Sequence, residues 1–261
     1  VREFEPETLD LNLESDFNFL AVAQLSPRKN MEQLIRVFVD RFRENENIGL
    51  VVKANTAKNS LIDRNHTHAN FRQILEKFGP RKCKIYFLHG YLSDKQMAGL
   101  YNHPKIKAFV STTHGEGFGL PIFEAAANGM PVAATDWSGH LDFLYMPQKQ
   151  KNGKIKNKHM FNRINYTLQK IGKESVWDGV LTEDSMWAYP EDTSVKMNLV
   201  KMYEEYDHTK KRAKKLQKWI NQEFTEEKKY SEFLSYLDEF TKSSEDEIKE
   251  IENLFSDLAE E

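Results

Sequence analysis

The sequence predicts an α/β fold built on an open, doubly wound parallel sheet. Apolar, β-rich runs alternate with helix-period runs through the first 145 residues, the alternation repeats about five times, and a glycine-rich turn stands where one strand hands over to a helix. Strands separated by helices cannot pair as hairpins, so they pair in parallel through crossovers.

In chain order, residues 17–23, 48–54, 84–88, 108–111 and 132–135 have the composition and length of strands. The first helix follows from Leu34, Ile35, Phe38 and Phe42, which form one apolar stripe, with Asn30 and Gln33 spaced as a capping box ahead of it. A second helix is expected around residues 71–78. Ser93 and Gln96 repeat the capping signal before Met97, Leu100 and Tyr101. Five βα units of this kind make a Rossmann-like sheet.

Beyond Pro147 the regularity breaks. Residues 148–158 carry five lysines and no acid and read as a polar loop, either simply solvated or a site for an acidic headgroup. Residues 162–168 could add a strand, and residues 172–190 read as structured loop. From 195 to about 236 the pattern is helical, with Leu199, Met202, Tyr203 and Tyr206 on one side, then Leu216, Trp219, Ile220, Phe224, Phe233 and Leu237, expected to pack back on the sheet. Ser244 and Glu247 can cap a last helix striped by Ile248, Ile251, Phe255 and Leu258.

Composition narrows the function classes. The 37 basic and 40 acidic residues nearly cancel, which offers no general attraction for nucleic acid. Residues 241–261 hold eight acids against two lysines, leaving the rest of the chain near +3. The single cysteine, Cys83, excludes an internal disulfide and a cysteine-rich metal site, and its apolar surroundings suit a core residue. The absence of a long apolar stretch or a charged-then-apolar leader predicts a soluble, cytoplasmic protein with no transmembrane segment. The chain opens on valine, as an excerpt or a processed product would.

The informative segment is residues 111–124, Ser-Thr-Thr-His-Gly-Glu-Gly-Phe-Gly-Leu-Pro-Ile-Phe-Glu, which runs from a strand into a helix where open α/β sheets bind ligands. Gly115, Gly117 and Gly119 permit tight turns and close backbone approach. A helix starting near Leu120 or Pro121 leaves unpaired N–H groups at its positive end, a seat for a diphosphate. Glu116 precedes the helix and Glu124 lies one turn inside it, so the two carboxylates flank the anion from different heights. His114 has two readings: a contact to a ligand, or a histidine hydrogen-bonded beneath the loop. His140 has the same two, and Trp187 and Tyr189 are read as packing.

Glu116 and Glu124, with seven residues between them in Glu-Gly-Phe-Gly-Leu-Pro-Ile-Phe-Glu-Ala and followed by Asn128-Gly-Met-Pro-Val132, closely resemble the signature of retaining family 4 (group 1) glycosyltransferases of the GT-B fold. Gln24-Leu-Ser-Pro-Arg-Lys-Asn30 resembles that family's Gly-Arg-Leu-x-x-x-Lys-Gly loop, in which an arginine and a lysine neutralise the donor diphosphate. Lys29 matches the lysine, Gln24 stands where the arginine would, Ala23 replaces the glycine, and the adjacent Arg28 is a possible substitute. Ser138-Gly-His-Leu-Asp142 resembles the Gly-Gly-x-x-Glu turn, with Asp142 as a shorter acid. His89-Gly-Tyr-Leu-Ser93 falls at the turn near the nucleobase.

The resemblance covers about residues 17–236 and corresponds to the C-terminal, donor-binding half of a GT-B enzyme. It implies an enzyme that transfers a sugar, with retention, from a nucleotide-diphosphate sugar to an unknown acceptor in glycan or glycoconjugate synthesis, without cofactor or obligatory metal. Glu116, Lys29 and His114 are the implied catalytic residues. Glu124, Gly117, Phe118, Gly119, Leu120, Arg28, Gln24 and Tyr91 are implied to bind the donor, with Glu116 on sugar hydroxyls and Glu124 on the ribose. An N-terminal acceptor-binding domain, in cis or as a separate subunit, is the implied partner. The expected organisation is a lead-in over residues 1–16, the nucleotide-sugar-binding domain over 17–240 and an acidic amphipathic tail helix over 241–261. The alternatives are a non-catalytic nucleotide-sugar-binding module, favoured by the missing arginine at Gln24, and an interaction subunit that uses the tail.

Overall fold

The computed structural model describes residues 5–238, 241 and 248–249. Two compact units divide the chain: Phe4–Ile220, which holds every sheet described below, and Asn221–Glu261 with Val1–Glu3.

In the larger unit, β1 (Phe17–Gln24) leads through a short 3-10 turn at Pro27–Lys29 to α1 (Met31–Phe42). Then come β2 (Ile48–Asn55), α2 (Leu61–Glu76), β3 (Lys84–Leu88), α3 (Asp94–Asn102), β4 (Ile106–Ser111), α4 (Leu120–Ala127) and β5 (Val132–Thr135). The short α5 (Leu141–Leu144) is followed by β6 (Tyr145–Lys149), β7 (Ile155–His159), β8 (Asn162–Ile164), β9 (Tyr166–Lys170) and β10 (Met186–Pro190). Two helices, α6 (Asp192–Glu204) and α7 (Tyr206–Glu223), follow.

The main sheet has the order β3-β2-β1-β4-β5-β8, and all its neighbours run parallel. The expected doubly wound α/β architecture is therefore present. The chain winds outward from β1 through β2 and β3, then returns to the other side of β1 with β4. That reversal opens a crevice beyond the carboxyl ends of β1 and β4, between the loops that lead into α1 and α4.

Packing explains why β1 is central. Phe19 is fully buried and meets Phe38 edge to face at 6.1 Å and Phe42 in a stack at 6.0 Å. Val195, Leu199 and Met202 of α6 join the same core, so the expectation that this helix returns to the sheet holds. Cys83 is buried and free.

Several expectations need correction. The helix expected around 71–78 begins ten residues earlier, at Leu61, where Ser60 accepts a hydrogen bond from the Asp63 amide. Its buried residues, Asp63, Thr67 and Phe71, recur every fourth position, but two are polar and leave no apolar stripe. The Asn30–Gln33 pair is not a capping box. Asn30 is left-handed at φ 53°, and its amide donates to Gln33 and to the Thr112 carbonyl. At α3 the box expected from Ser93 and Gln96 is complete.

The lysine-rich stretch is not a loop but the antiparallel ribbon β6–β7. Residues 162–168 split into β8, which extends the main sheet, and β9, which pairs with β10 inside the supposed loop 172–190. In β6 and β7, short strands held by backbone pairing, the side chains carry little periodicity.

In the smaller unit, residues 226–238 are helical, and the Lys229 ammonium lies 4.6 Å from the Phe224 ring centroid. Phe233 and Leu237 are exposed rather than core residues. Of the expected tail helix, Ser244, Glu247, Ile251, Phe255 and Leu258 lie outside the described residues.

Candidate functional site

The crevice at the β1/β4 reversal is built by two loops locked to each other. The His114 amide and the Thr113 hydroxyl both donate to the Arg28 carbonyl, at 2.9 and 3.3 Å, and the Thr112 hydroxyl donates to the Asn30 carbonyl. From the far side, the Ser138 hydroxyl accepts from the Glu116 amide and donates to the Glu116 carbonyl. Gly139 adds its own amide to that carbonyl at 3.0 Å. A Cβ at Gly139 would fall 1.8 Å from the Gly117 carbonyl oxygen, so only glycine fits there, and Ser138 beside it takes the left-handed φ of 87°.

Held in this way, Glu116 becomes the centre of an ionic cluster. Lys29 Nζ lies 2.5 Å from its Oε1 and Arg28 Nη1 lies 3.0 Å from its Oε2, while Arg28 also donates to the Gly115 carbonyl. Burial of the Glu116 carboxyl would raise its pKa, but Lys29 and then Arg28 outweigh that and hold it below the usual carboxylate range. Two cations on one carboxylate leave the cluster with a surplus positive charge. Glu116 and Lys29 also border a cavity of ≈ 10 Å³, about the size of one water.

The surplus charge lies beside the start of α4. Gly119 is its N-cap in left-handed conformation at φ 84°, and Pro121 occupies the first turn. Among the described residues, the amides of Gly117, Phe118, Gly119 and Leu120 donate to no protein acceptor. Free amides and a helix's positive end beside two cations make an anion seat. Phe118 and Leu120 are exposed there, Phe118 with one side against Phe123 and Phe143.

Glu124 lies on the other flank of α4, where it accepts a hydrogen bond from Tyr101 at 2.8 Å. Burial pushes its pKa up, opposed by the Tyr101 hydroxyl and reinforced by Asp94. Tyr101 itself is raised well above its ordinary value, first by burial and then by the Glu124 charge. Sequence reasoning treated Tyr101 only as a helix-stripe residue, and no spacing signals its hydroxyl.

His114 is buried beneath the loop. Its Nδ1 donates to the Ala188 carbonyl at 2.8 Å, and its ring stacks on Trp187 at 5.2 Å and against Tyr189 at 4.4 Å. Burial pushes its pKa down, favouring the neutral ring. His140 is fully buried: Nε2 donates to the Thr135 carbonyl, and Nδ1 has no partner among the described residues.

Among the described residues, the remaining expected site residues form no hydrogen bond or ion pair with Glu116, Lys29 or Arg28. Gln24 turns toward β2 and donates to the Thr56 carbonyl at 2.8 Å. Asp142 is exposed in α5. Tyr91 is 76% exposed on the turn after β3. That turn is fixed by Lys53, which donates to the Gly90 carbonyl at 2.6 Å, and by His89 on Asp63 at 2.9 Å. Asp63 also accepts the amides of Thr56 and Ala57, and the His89 hydrogen bond is the largest cause of its lowered pKa.

Comparison with known proteins agrees with this fold. The family model described as glycosyl transferases group 1 matches residues 3–149. The serotype-specific mannosyltransferase WbdA of Escherichia coli is 30% identical over 121 residues, 46% of this chain and 13% of that protein. The C-terminal domain of the group 1 glycosyl transferase LpcC from Francisella tularensis has the same fold, with a TM-score of 0.51 at 15% identity, covering 81% of this chain and 88% of that one. Anabaena HepE, solved in complex with UDP and glucose, superposes with a TM-score of 0.54 at 16% identity, covering 85% of this chain and 48% of its own. The chain thus spans a small fraction of WbdA and about half of HepE. Among the described residues, no helix is long and apolar enough to cross a membrane.

Proposed function

Because this chain belongs to the glycosyl transferases group 1 family, we propose that it is the donor-binding half of a GT-B glycosyltransferase that takes a nucleotide-diphosphate sugar. The observation that carries this reading is the convergence of Arg28 and Lys29 on Glu116 beside the free amides of Gly117, Phe118, Gly119 and Leu120. The UDP held by HepE, which shares the fold, supports the same ligand class.

In this mechanism the donor diphosphate sits on the start of α4. Breaking the bond between sugar and phosphate builds negative charge on the leaving oxygen, and preorganised positive charge at that point lowers the barrier. Lys29, Arg28 and the four amides supply it, so neither metal nor cofactor is required. As the diphosphate arrives, the cations turn part of their charge from Glu116 to phosphate, which frees a carboxylate oxygen for the sugar hydroxyls. Glu124, with one oxygen on Tyr101, offers the other to the ribose, and Tyr91 lies on the turn assigned to the base. His114 holds the loop from below.

Transfer then proceeds with retention of configuration, the donor's own phosphate helping to deprotonate the acceptor on the same face. The acceptor is held by a second Rossmann-like domain, in cis or in a separate subunit. The reading of a non-catalytic binding module rests on Gln24, which indeed turns away. Arg28 supplies the second cation in its place, which favours a working site.

Calorimetry with a panel of nucleoside diphosphates and nucleotide sugars tests the proposal. Base-selective binding, weakened by both Lys29→Ala and Glu124→Ala, is the expected result. No binding by any member of the panel would sink it.

A further inference from the structure

The β6–β7 ribbon is a strongly charged feature outside the site. Its strands pair only with each other. Lys149, Lys151, Lys154, Lys156 and Lys158 are all exposed, and among the described residues none forms an ion pair. No acid occurs in the sequence between Asp142 and Glu174 that could neutralise them locally.

The register shows how the ribbon tolerates this charge. Lys149 lies opposite Ile155, Lys156 opposite Gln148 and Lys158 opposite Met146, so no two strand lysines face each other directly. The cations are spread over both faces and the tip, where Gly153 turns at φ 80° with open space around it. Ile155 is 72% exposed among them, beside Lys154 and opposite Lys149. The ribbon is rooted on the site's edge of the sheet, where the Tyr145 hydroxyl donates to Asp136 just beyond β5.

An array of this kind suits an extended field of negative charge. All five cations are lysines, compact point charges that answer to a field, whereas bidentate recognition of a particular group favours arginine. No aromatic side chain occurs from 146 to 158 on which a base could stack, which disfavours single-stranded nucleic acid. An exposed isoleucine within a basic cluster gains from a boundary that is charged outside and apolar below.

We propose that the β6–β7 ribbon is a contact surface for an anionic phospholipid bilayer, with the lysines on the headgroups and Ile155 in the interfacial layer. The contact is independent of sugar transfer and would stand if the donor-site reading failed.

Co-sedimentation of the whole chain with extruded vesicles tests it, comparing phosphatidylcholine alone with a mixture containing about one third phosphatidylglycerol. Binding is expected to the mixture only and to fade at roughly 0.5 M salt. At roughly fivefold per lysine, the combined Lys151→Gln, Lys154→Gln and Lys156→Gln substitutions should lower partitioning about a hundredfold. Ile155→Ser should lower it several-fold with the charge unchanged. Equal sedimentation with both vesicles, none with either, or full binding by the triple variant would overturn the proposal. So would retention on polyphosphate or RNA without any binding to vesicles.

Discussion

Lys29 Nζ lies 2.5 Å from Glu116 Oε1, and Arg28 takes the other oxygen of the same carboxylate. The two cations proposed to receive a diphosphate are thus held in position by an internal anion.

Replacing Lys29 by methionine should weaken binding of nucleoside diphosphates about tenfold to a hundredfold, the worth of a charge-assisted hydrogen bond of about 1.5–3 kcal/mol. Folding should suffer less than when a buried pair is fully broken, because Arg28 still neutralises Glu116. Calorimetry and thermal unfolding of one preparation separate the two effects.

Glu116 also sets a pH dependence. Its folded pKa is depressed below the ordinary 4.5, so its stabilising contribution is fully present above that value and is lost as pH falls through the folded pKa. Glu124 has the opposite sign. Its folded pKa is raised, so between 4.5 and that pKa the folded state binds more protons and stability falls as pH rises. Glu124→Gln should therefore raise the melting temperature at neutral pH while weakening nucleotide binding. A melting temperature that falls would show that the Glu124 charge stabilises the fold.

Tyr101→Phe removes the hydroxyl that donates to Glu124. A cost of about 1–2 kcal/mol in stability is expected, with nucleotide affinity reduced because the carboxylate loses its orientation. Urea titration and calorimetry measure the two effects.

Gly139→Ala places a methyl 1.8 Å from the Gly117 carbonyl oxygen, a backbone atom that can yield only by moving the Glu116 loop. Destabilisation of about 1–3 kcal/mol is expected. Loss of diphosphate binding should accompany it, whereas Gly153→Ala, in open space on the lysine ribbon, should leave binding intact.

Much of this architecture is legible in the residues. The first five strands and α1 stand out because apolar runs and one apolar stripe mark them, and Ser93 and Gln96 announce α3. The ribbon β6–β7 does not, because lysines on both of its faces carry no alternation, and backbone pairing supplies the order instead. At the site, spacing locates Glu116 and Glu124. It does not show that Arg28 and Lys29 reach the same carboxylate, since the direction of a side chain on a tight turn depends on contacts some 87 residues away. Tyr101 was hidden for a different reason: its ring belongs to the core and only its hydroxyl meets Glu124.

The most direct measurement is a crystal structure of the chain soaked with the nucleoside diphosphate that calorimetry selects, read for the positions of its two phosphorus atoms. The expected result places the terminal phosphate within hydrogen-bond reach of the amides of Gly117, Phe118, Gly119 and Leu120, with Lys29 drawn toward it from Glu116. A diphosphate bound elsewhere, with the Lys29–Glu116 pair unchanged and the start of α4 empty, would contradict the account.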